Sequence, residues 1–369
     1  MVTLDDVAAR AGVSRMTASN TLRGKMVGGR PIVKPETAER VRKAAAELGY
    51  RPNLAARQLS SGRTGIIGLS VADLDMIFPA ALAATLSDEA YRRGYQLITQ
   101  QTRMSADYER EMLGSASAQI CDGTIVCWPS RDTVSALASA HGHPLVVLDG
   151  FGLEGSVDCV FTPCVDGAKA AVRHMVASGA RRMLVLGTSY CSGNELTKAA
   201  NSAGLRLRGA CEALTEAGLP YGPDDVVPCG WTRQSGYDAM SRILADRGMT
   251  AGDGRASHDS LGFDAVFCMT DTVAIGALRA LADAGVRVPD DVMVMGFDGV
   301  EDGRYTNPGL SSVMIDTAEV SSVCLDMLAD RIGKSSARSG VGGAAAGASD
   351  APRTHMLAYR IVSRGSAER

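Results

Sequence analysis

The first 50 residues carry hydrophobic side chains at helical spacing, separated by residue types that begin and end helices. Thr3 is a good N-cap, and Asp5 and Asp6 stand in the first turn, where carboxylates favour the positive end of a helix dipole. Gly12 supplies a turn, and Ser14 caps a second helix. The positions expected to share a buried face are Leu4, Val7, Ala8, Val13, Ala18 and Leu22. The pattern predicts helices over residues 4–10 and 15–23, arranged as a helix-turn-helix.

A third helix is predicted over residues 35–48, since Pro35 and Glu36 suit its start and Gly49 suits its end. The preceding residues 24–34 are rich in Gly, Lys and Arg, and they are predicted to form a long loop. Residues 51–60 could make one more short helix, which begins at Asn53. Because so short a helix is unstable alone in water, we expect it to fold only on DNA.

The rest of the chain alternates apolar runs with amphipathic helical patterns, which is typical of a doubly wound α/β architecture. The runs predicted as buried strands cover residues 66–71, 95–99, 123–127, 145–148, 183–187, 265–269 and 292–297. About 300 residues are too many for one core of ordinary size, so two lobes are expected. Ligands of such sheets bind at the carboxyl ends of strands, where Asp73, Asp149, Asp271 and Asp298 fall.

One segment of this body lacks any such pattern. Residues 333–351 are rich in Gly, Ala and Ser, with no periodicity and little to bury. We expect a flexible surface insertion here, between a helix over residues 317–332 and a final strand over residues 356–363.

Charge divides the chain in the same way. Residues 3–63 hold 12 Lys and Arg against 5 Asp and Glu, whereas the remaining 308 residues hold 26 against 36. A basic head can neutralise nucleic acid, and an acidic body is free to bind something else, such as a ligand.

The exposed start of the second helix carries residue types that read base edges: Arg suits guanine, Asn suits adenine, and Met suits a thymine methyl. The side chains expected to reach bases are Arg15, Met16, Thr17 and Asn20. Those expected to hold phosphates are Thr3, Ser14 and Ser19. The alternatives are a phosphate contact for Arg15 and simple packing for Met16.

In the short helix after residue 50, Asn53, Ala56 and Leu59 are predicted to contact DNA. An exposed Leu beside Ala and Arg is what a minor-groove wedge requires. The alternative for Leu59 is a core position under the body.

The order of these residues resembles the LacI/GalR family of bacterial transcription regulators over nearly the whole chain. The matching strings are residues 2–8 (VTLDDVA), 11–14 (AGVS), 35–37 (PET), 48–53 (LGYRPN), 67–69 (IGL), 288–292 (VPDDV) and 296–298 (GFD). The chain departs from the family at Asn20, where Arg is usual, at Lys34, where a capping Ser is usual, and in its longer loop before the third helix. These departures affect the operator sequence rather than DNA binding itself.

The resemblance implies a homodimer whose paired hinge helices open the centre of a near-palindromic operator, and a body like that of periplasmic sugar-binding proteins. The implied fold is a small all-α helix-turn-helix head with a hinge helix, joined to a two-lobed α/β body of doubly wound parallel sheets. The implied domains are residues 1–50 for the head, 51–63 for the hinge and 64–364 for the body. The N-lobe would comprise about 64–163 and 317–332, and the C-lobe about 164–314 and 352–364, with three crossings between them.

The resemblance also assigns effector contacts. Arg206 matches a family Arg that precedes a Gly and forks onto ligand oxygens, and Trp231 matches an aromatic suited to a sugar face. The full set of expected contacts is Asp73, Met76, Phe78, Asp149, Phe161, Arg206, Trp231, Thr270, Asp271 and Asp298. Thr270 and the pair Thr162-Pro163 depart from the family pattern. Taken singly, a Trp is usually a core residue, and an Asp after a strand is often a helix cap.

Other classes of protein find little support. Nine scattered cysteines form no CxxC pair and have no His at metal spacing, which favours a reducing cytoplasm and no metal. No signal peptide, membrane-spanning run, phosphate loop or catalytic set stands out, so no cofactor, membrane association or enzyme activity is expected.

Three hypotheses follow. The favoured one is a cytoplasmic repressor that binds double-stranded operator DNA and responds to a small-molecule effector; acidic side chains with one Arg and one Trp suit a sugar, a polyol or a sugar acid. The second keeps DNA binding but makes the ligand a corepressor, or the protein an activator. The third is a carbohydrate-binding protein or enzyme without DNA binding.

Overall fold

The computed structural model describes residues 2–22, 26–27, 30–50, 63–103, 105–114, 120–130, 133, 143–249, 261–339 and 351–369. Its contacts divide the chain into two units, Met1–Thr64 and Gly65–Arg369. The predicted hinge contacts Asn53, Ala56 and Leu59 lie outside the described residues.

Three helices are described in the first unit, α1 (Leu4–Ala11), α2 (Arg15–Leu22) and α3 (Pro35–Glu47). Thr3 and Asp6 form a capping box on α1: the Thr3 backbone N donates to Asp6 Oδ2 at 2.8 Å, and the Asp6 backbone N donates to Thr3 Oγ1 at 3.3 Å. Gly12 ends α1 with a left-handed φ of 65°. The predicted apolar face is buried together with residues of α3 such as Val41. The predicted helix-turn-helix is confirmed.

The predicted loop over residues 24–34 is wrong in part. It contains two short antiparallel strands, β1 (Met26–Val27) and β2 (Arg30–Pro31), with Val27 opposite Arg30. In the sequence, Gly28 and Gly29 stand between them, and such a pair favours a two-residue hairpin connection. The Gly content indicated a loop, whereas the spacing of the pair indicates a hairpin.

The second unit is built on two six-stranded sheets. The N-lobe sheet contains β3 (Ile66–Val71), β4 (Gln96–Gln101), β5 (Gly123–Cys127), β6 (Leu145–Leu148), β7 (Asp158–Phe161) and β13 (Thr354–Met356). Its order is β13-β7-β6-β5-β3-β4, and every neighbouring pair is parallel. The C-lobe sheet contains β8 (Met183–Leu186), β9 (Val226–Val227), β10 (Ala265–Cys268), β11 (Met293–Asp298), β12 (Ser311–Met314) and β14 (Arg360–Val362). Its order is β14-β12-β11-β10-β8-β9, with only β14 antiparallel to its neighbour.

Eight α-helices are described in this unit. They are α4 (Ile77–Arg92), α5 (Ala106–Gly114), α6 (Cys164–Ala177), α7 (Gly193–Thr197), α8 (Ser202–Glu216), α9 (Arg233–Asp246), α10 (Asp271–Asp283) and α11 (Thr317–Ser339). The N-lobe helices α4 and α11 pack together, as do the C-lobe pairs α6 with α8 and α9 with α10. Apolar strands buried beneath these helices form the core, as the continuous apolar runs predicted. The prediction of a buried strand over residues 95–99 is wrong in part, because β4 lies at the edge of the N-lobe sheet and its residues are exposed or half-buried.

Two predictions near the C-terminus are wrong. The single final strand over residues 356–363 is instead β13 in the N-lobe sheet and β14 in the C-lobe sheet, because buried Leu357 lies between them and its backbone N donates to Phe161 O at 2.9 Å. Residues 352–356 therefore belong to the N-lobe. The predicted insertion over residues 333–351 also begins too early, because α11 continues to Ser339 through a segment that includes Lys, Ala and Arg, which have good helix propensity.

The chain crosses between the lobes three times, at residues 162–163, 315–316 and 357–359. Within the part of the chain that the structure describes, no helix is both long and apolar enough to span a membrane. Nor do the described residues bring together three or more potential metal ligands.

Candidate functional site

The start of α2 presents the predicted reading residues at the surface of the head. Met16 is 73% exposed, so it does not pack into the core of this unit. Arg15 is also exposed and lies 3.5 Å from Asp5. Ser14 Oγ accepts from the Thr17 backbone N at 3.1 Å and bonds to the Thr17 hydroxyl at 2.9 Å.

The other polar residues of this surface differ in exposure. Ser19 and Asn20 are half-buried, and Thr3 is exposed. The side chains of Thr3 and Ser14 already cap α1 and α2, so their contact with phosphates stays a prediction.

The body holds a buried charged cluster at the carboxyl ends of its strands. Arg206 of α8 lies 3.4 Å from Asp298, the last residue of β11, and it also donates to the carbonyl of Met269. The side chains of Arg206 and Asp298 are only 5% and 6% exposed. The guanidinium carbon lies 3.7 Å from the ring centroid of Phe297 and 5.4 Å from the Trp231 ring.

Asp149 joins this cluster from the N-lobe. It follows β6 with a left-handed φ of 53°, and it accepts hydrogen bonds at 2.7 Å from both the backbone N and the hydroxyl of Thr162. Trp128 Nε1 donates to it at 3.0 Å, and the hydroxyl of Ser202, on α8 of the C-lobe, lies at 3.4 Å. A ligand that touches Asp149 therefore contacts a residue bonded to both lobes.

Burial dominates the electrostatics of the two carboxyl groups. It raises the pKa of Asp298 to about 7, although Arg206 acts in the opposite direction. Burial also raises the pKa of Asp149, against the hydrogen bonds from Thr162 and the charge of Arg206. One guanidinium thus serves two buried carboxyl groups, and Asp298 changes charge near neutral pH.

Each lobe contributes a half-buried tryptophan near the cluster. Trp231 Nε1 donates to the carbonyl of Gly187 at 2.7 Å. Trp128, which follows β5, sets its ring edge-on to Phe78 with centroids 6.0 Å apart. Both indole N–H groups are bonded within the protein, so further contacts of these residues involve their rings.

The remaining predicted effector residues are less well placed. Thr270 and Asp271 are almost fully buried: Thr270 caps α10 by accepting from the Val273 backbone N, and Asp271 accepts from the Val300 backbone N at 2.8 Å and from the Ser312 hydroxyl at 2.5 Å. Burial raises the pKa of Asp271 well above its usual value. These contacts hold the C-lobe together.

Phe161 is buried against Phe151, in a separate apolar cluster of the N-lobe. Asp73 and Met76 are half-buried, and Asp73 accepts from Gln101 Nε2 at 3.3 Å. The structure thus brings together Asp149, Arg206, Asp298 and Trp231, with Phe78 behind Trp128.

Sequence reasoning missed three residues that complete the cluster, Trp128, Ser202 and Phe297, and it noted a fourth, Thr162, only as a departure from the family pattern. Trp128 directly follows a correctly predicted strand, so the rule that selected Asp149 would have found it. Ser202 and Phe297 carried no comparable signal, since the first begins a helix and the second lies within an apolar run.

Comparison with known proteins agrees with this architecture. A family model described as bacterial regulatory proteins, lacI family, matches residues 3–53, and a periplasmic binding protein-like domain matches residues 172–367. The HTH-type transcriptional repressor PurR of Erwinia tasmaniensis is 30% identical over 335 residues, which cover 90% of this chain and 91% of that protein. The chain belongs to the LacI family of bacterial regulatory proteins. The family resemblance and the fold class predicted from the sequence are confirmed.

Solved structures of LacI-family regulators share the fold. A putative LacI-family regulator from Sanguibacter keddieii is 35% identical with a TM-score of 0.67, covering 83% of this chain and 99% of that chain. The regulator CelR in complex with cellobiose is 26% identical with a TM-score of 0.66, covering 99% and 100%. The Lac repressor dimer bound to operator, at 24% identity and a TM-score of 0.74, shows likeness of fold alone.

This LacI-family protein is therefore a DNA-binding transcriptional repressor and not an enzyme. The hypothesis of a carbohydrate-binding protein or enzyme without DNA binding is wrong.

Proposed function

We propose that this repressor binds a near-palindromic operator as a homodimer and is released from it when a sugar or polyol occupies the cleft between its lobes. The observation that carries the proposal is the position of Asp149, which is bonded to Thr162 and Trp128 of the N-lobe and approached by Ser202 of the C-lobe. A ligand bound there has different contacts when the lobes move, which is the differential affinity that a switch requires.

The exposed start of α2 supports the DNA contact. Arg15 and Met16 project from a head with a surplus of basic residues, so phosphate attraction and base reading fall on the same small unit. Dimer formation is supported by the edge strand β4 and by α4, where Ile98 is 47% and Tyr91 80% exposed. An unpaired edge with exposed apolar side chains favours a partner.

The ligand class is supported by the chemistry of the cleft. Carboxyl groups and a guanidinium arranged beside an indole suit a compound rich in hydroxyl groups. CelR, whose structure contains cellobiose, shares this fold over almost its whole length.

The test is selection of bound sequences from a randomised duplex pool by the full chain, repeated with a panel of sugars, polyols and sugar acids. We expect a near-palindrome that one compound releases. Tighter binding with a compound would make the ligand a corepressor, and enrichment of a single asymmetric half-site would contradict the dimer.

A matched pair of variants sharpens this selection. Asn20→Arg should change the preferred base at one symmetric pair of positions, by about 1–3 kcal/mol of discrimination. Arg42→Ala, on α3, serves as the control, because Arg42 is exposed and ion-paired with Glu39 at 3.7 Å. An unchanged base preference in the Asn20 variant would place that residue away from the bases.

A further inference from the structure

The backbone of Trp128 is held in a conformation that a bulky side chain seldom adopts. Its φ is +51°, in the left-handed region that favours glycine. Neighbouring groups hold it there: its backbone N donates to Leu148 O at 2.9 Å, and two residues later Ser130 donates to buried Glu109 from its backbone N at 2.9 Å and from its hydroxyl at 2.7 Å. A strained backbone conformation that surrounding hydrogen bonds maintain is typical of functional positions.

The ring of Trp128 is fixed as firmly as its backbone. Nε1 donates to Asp149 Oδ2, and Phe78 packs edge-on against the ring, while the side chain remains half-buried. Trp231 has the same arrangement on the C-lobe, where its N–H is bonded to Gly187 and its side chain is half-buried. Trp128 is bonded to Asp149, and the Trp231 ring lies 5.4 Å from the guanidinium carbon of Arg206, so both rings border the cluster and each is suited to stack on an apolar ring face.

The polar groups of the cluster restrict the charge of a ligand. Arg206 already contacts Asp298 and the Met269 carbonyl, and Asp149 adds a second buried carboxyl group. An anion placed there would meet two carboxyl groups and a guanidinium that is already engaged.

The same groups keep some hydrogen-bonding capacity for a ligand. Among the described groups, Asp149 Oδ2 accepts from Trp128, Thr162 and Ser202, whereas Oδ1 accepts only from the Thr162 backbone N. Arg206 Nε is buried without a hydrogen-bond partner among the described residues. One free acceptor and one free donor suit a ligand that both donates and accepts, either through hydroxyls or through a ring N–H beside a carbonyl oxygen or ring nitrogen.

We propose that Trp128 selects the ligand by stacking on it from the N-lobe, so that the cleft takes a neutral ring compound with an apolar face and hydrogen-bonding groups along its edge. The inference rests on the proposed function, because it assumes that the cleft binds the effector. Neutral sugars and neutral nucleobases both have this chemistry, and the experiment separates them.

The test uses the fact that the chain contains only two tryptophans, so that its indole emission arises from these two positions. Trp231→Phe leaves Trp128 as the only reporter, and Trp128→Phe leaves Trp231. The full chain and both variants are titrated with cellobiose, glucose, hypoxanthine, gluconate and glucose 6-phosphate, following emission and the thermal unfolding midpoint. Tyr305→Phe is the control, because Tyr305 is 82% exposed and has no contact with the cluster among those described.

We expect a neutral compound to change the emission of Trp128 in the Trp231→Phe variant. Its affinity should fall about tenfold or more in Trp128→Phe, which keeps a ring but loses the N–H bond to Asp149, and should not change in Tyr305→Phe. A response to a sugar agrees with the ligand class of the proposed function, whereas a response to hypoxanthine would support the role of Trp128 and replace the sugar of the proposed function by a nucleobase. If Trp128→Phe does not fold, the emission of Trp128 in the other variant still decides the matter.

Three results would overturn the inference: tighter binding of gluconate or glucose 6-phosphate than of any neutral compound, a bound compound that leaves Trp128 emission unchanged, or no response to any neutral member of the panel. Each is distinct from failure of the proposed function, which would appear as the absence of an enriched operator in the selection experiment.

Discussion

Two buried aspartates of the body, Asp158 and Asp298, occupy opposite ends of parallel strands and have opposite surroundings. Asp158 begins β7 and receives Arg331 Nε at 2.9 Å, Arg331 Nη2 at 2.5 Å, Arg353 Nη2 at 3.0 Å and the Arg353 backbone N at 2.8 Å. Asp298 ends β11 at a left-handed φ of 122°, and its one charged partner among the described residues is Arg206 at 3.4 Å.

The pKa values of the two carboxyl groups shift in opposite directions. Burial alone would raise the pKa of Asp158, but the hydrogen bonds from Arg331 and Arg353 outweigh it and lower the pKa. At Asp298 burial prevails and raises the pKa to about 7. A carboxylate whose acceptor sites are filled by fixed donors holds a fold together, whereas one with spare acceptor sites is available to a ligand.

The largest expected effect is a loss of folding stability when the charge of Asp158, which is paired with two arginines, is removed. Asp158→Asn should lower the free energy of unfolding by about 3 kcal/mol, at the low end of the range for a broken buried pair, because Arg353 retains access to water. Urea denaturation of the full chain measures it. A loss below about 1 kcal/mol would mean that the two arginines find other partners.

Asp298→Asn should have a smaller effect on stability than Asp158→Asn and a larger effect on the response to the effector. The variant takes the carboxyl partner from buried Arg206, but that carboxyl group has a pKa of about 7 and Asn keeps an acceptor oxygen, so the free energy of unfolding should fall by about 1–2 kcal/mol, less than in Asp158→Asn. Release of operator by the effector should require at least about tenfold more compound, since an acceptor in the cleft is weakened. Operator titrations with and without the released compound measure the second effect, and an unaltered response would remove Asp298 from the ligand site.

The pH dependence of stability should distinguish the same two residues. The folded pKa of Asp298 is above its unfolded value near 3.8, so its contribution is present at low pH and is lost as pH rises towards and through 7. Asp158, whose folded pKa is lowered, contributes above its unfolded value and loses that contribution only in acid.

Between pH 6 and pH 8 the full chain should therefore lose on the order of 1 kcal/mol that Asp298→Asn does not lose. Thermal or urea unfolding at the two pH values, with Asp158 intact in both proteins, measures the difference. Parallel curves would show that Asp298 ionises at its ordinary pKa.

The sequence predicted one member of this comparison and not the other. Asp298 was found because the carboxyl end of a long apolar run is a rule of position, and the same rule yielded Asp149. Asp158 begins a strand of only four residues, and its partners Arg331 and Arg353 lie 173 and 195 residues further along the chain. Pairings over such distances depend on how two segments meet in one sheet, which no local pattern contains.

The lack of a local signal also explains why the predicted elements near the C-terminus differ from those in the structure. β13 joins the N-lobe because it pairs with β7, and it is three residues long, too short to show an alternation that would separate it from β14. Helical residues without apolar periodicity, as at the end of α11, are likewise indistinguishable from a loop by pattern alone.

The smallest expected effect comes from an exposed ion pair beside Asp158. Arg353 Nη1 also lies 2.8 Å from Asp330, but the two side chains are 40% and 60% exposed. Water and salt screen such a pair, so Asp330→Asn should cost less than about 0.5 kcal/mol, although its geometry matches that of the bond to Asp158. The variant is the matched control for Asp158→Asn, since each removes one carboxylate from the same arginine. If both variants destabilise the chain equally in urea, the number of ion pairs rather than their burial would determine the stability of this site, and the contrast between Asp158 and Asp298 would lose its physical basis.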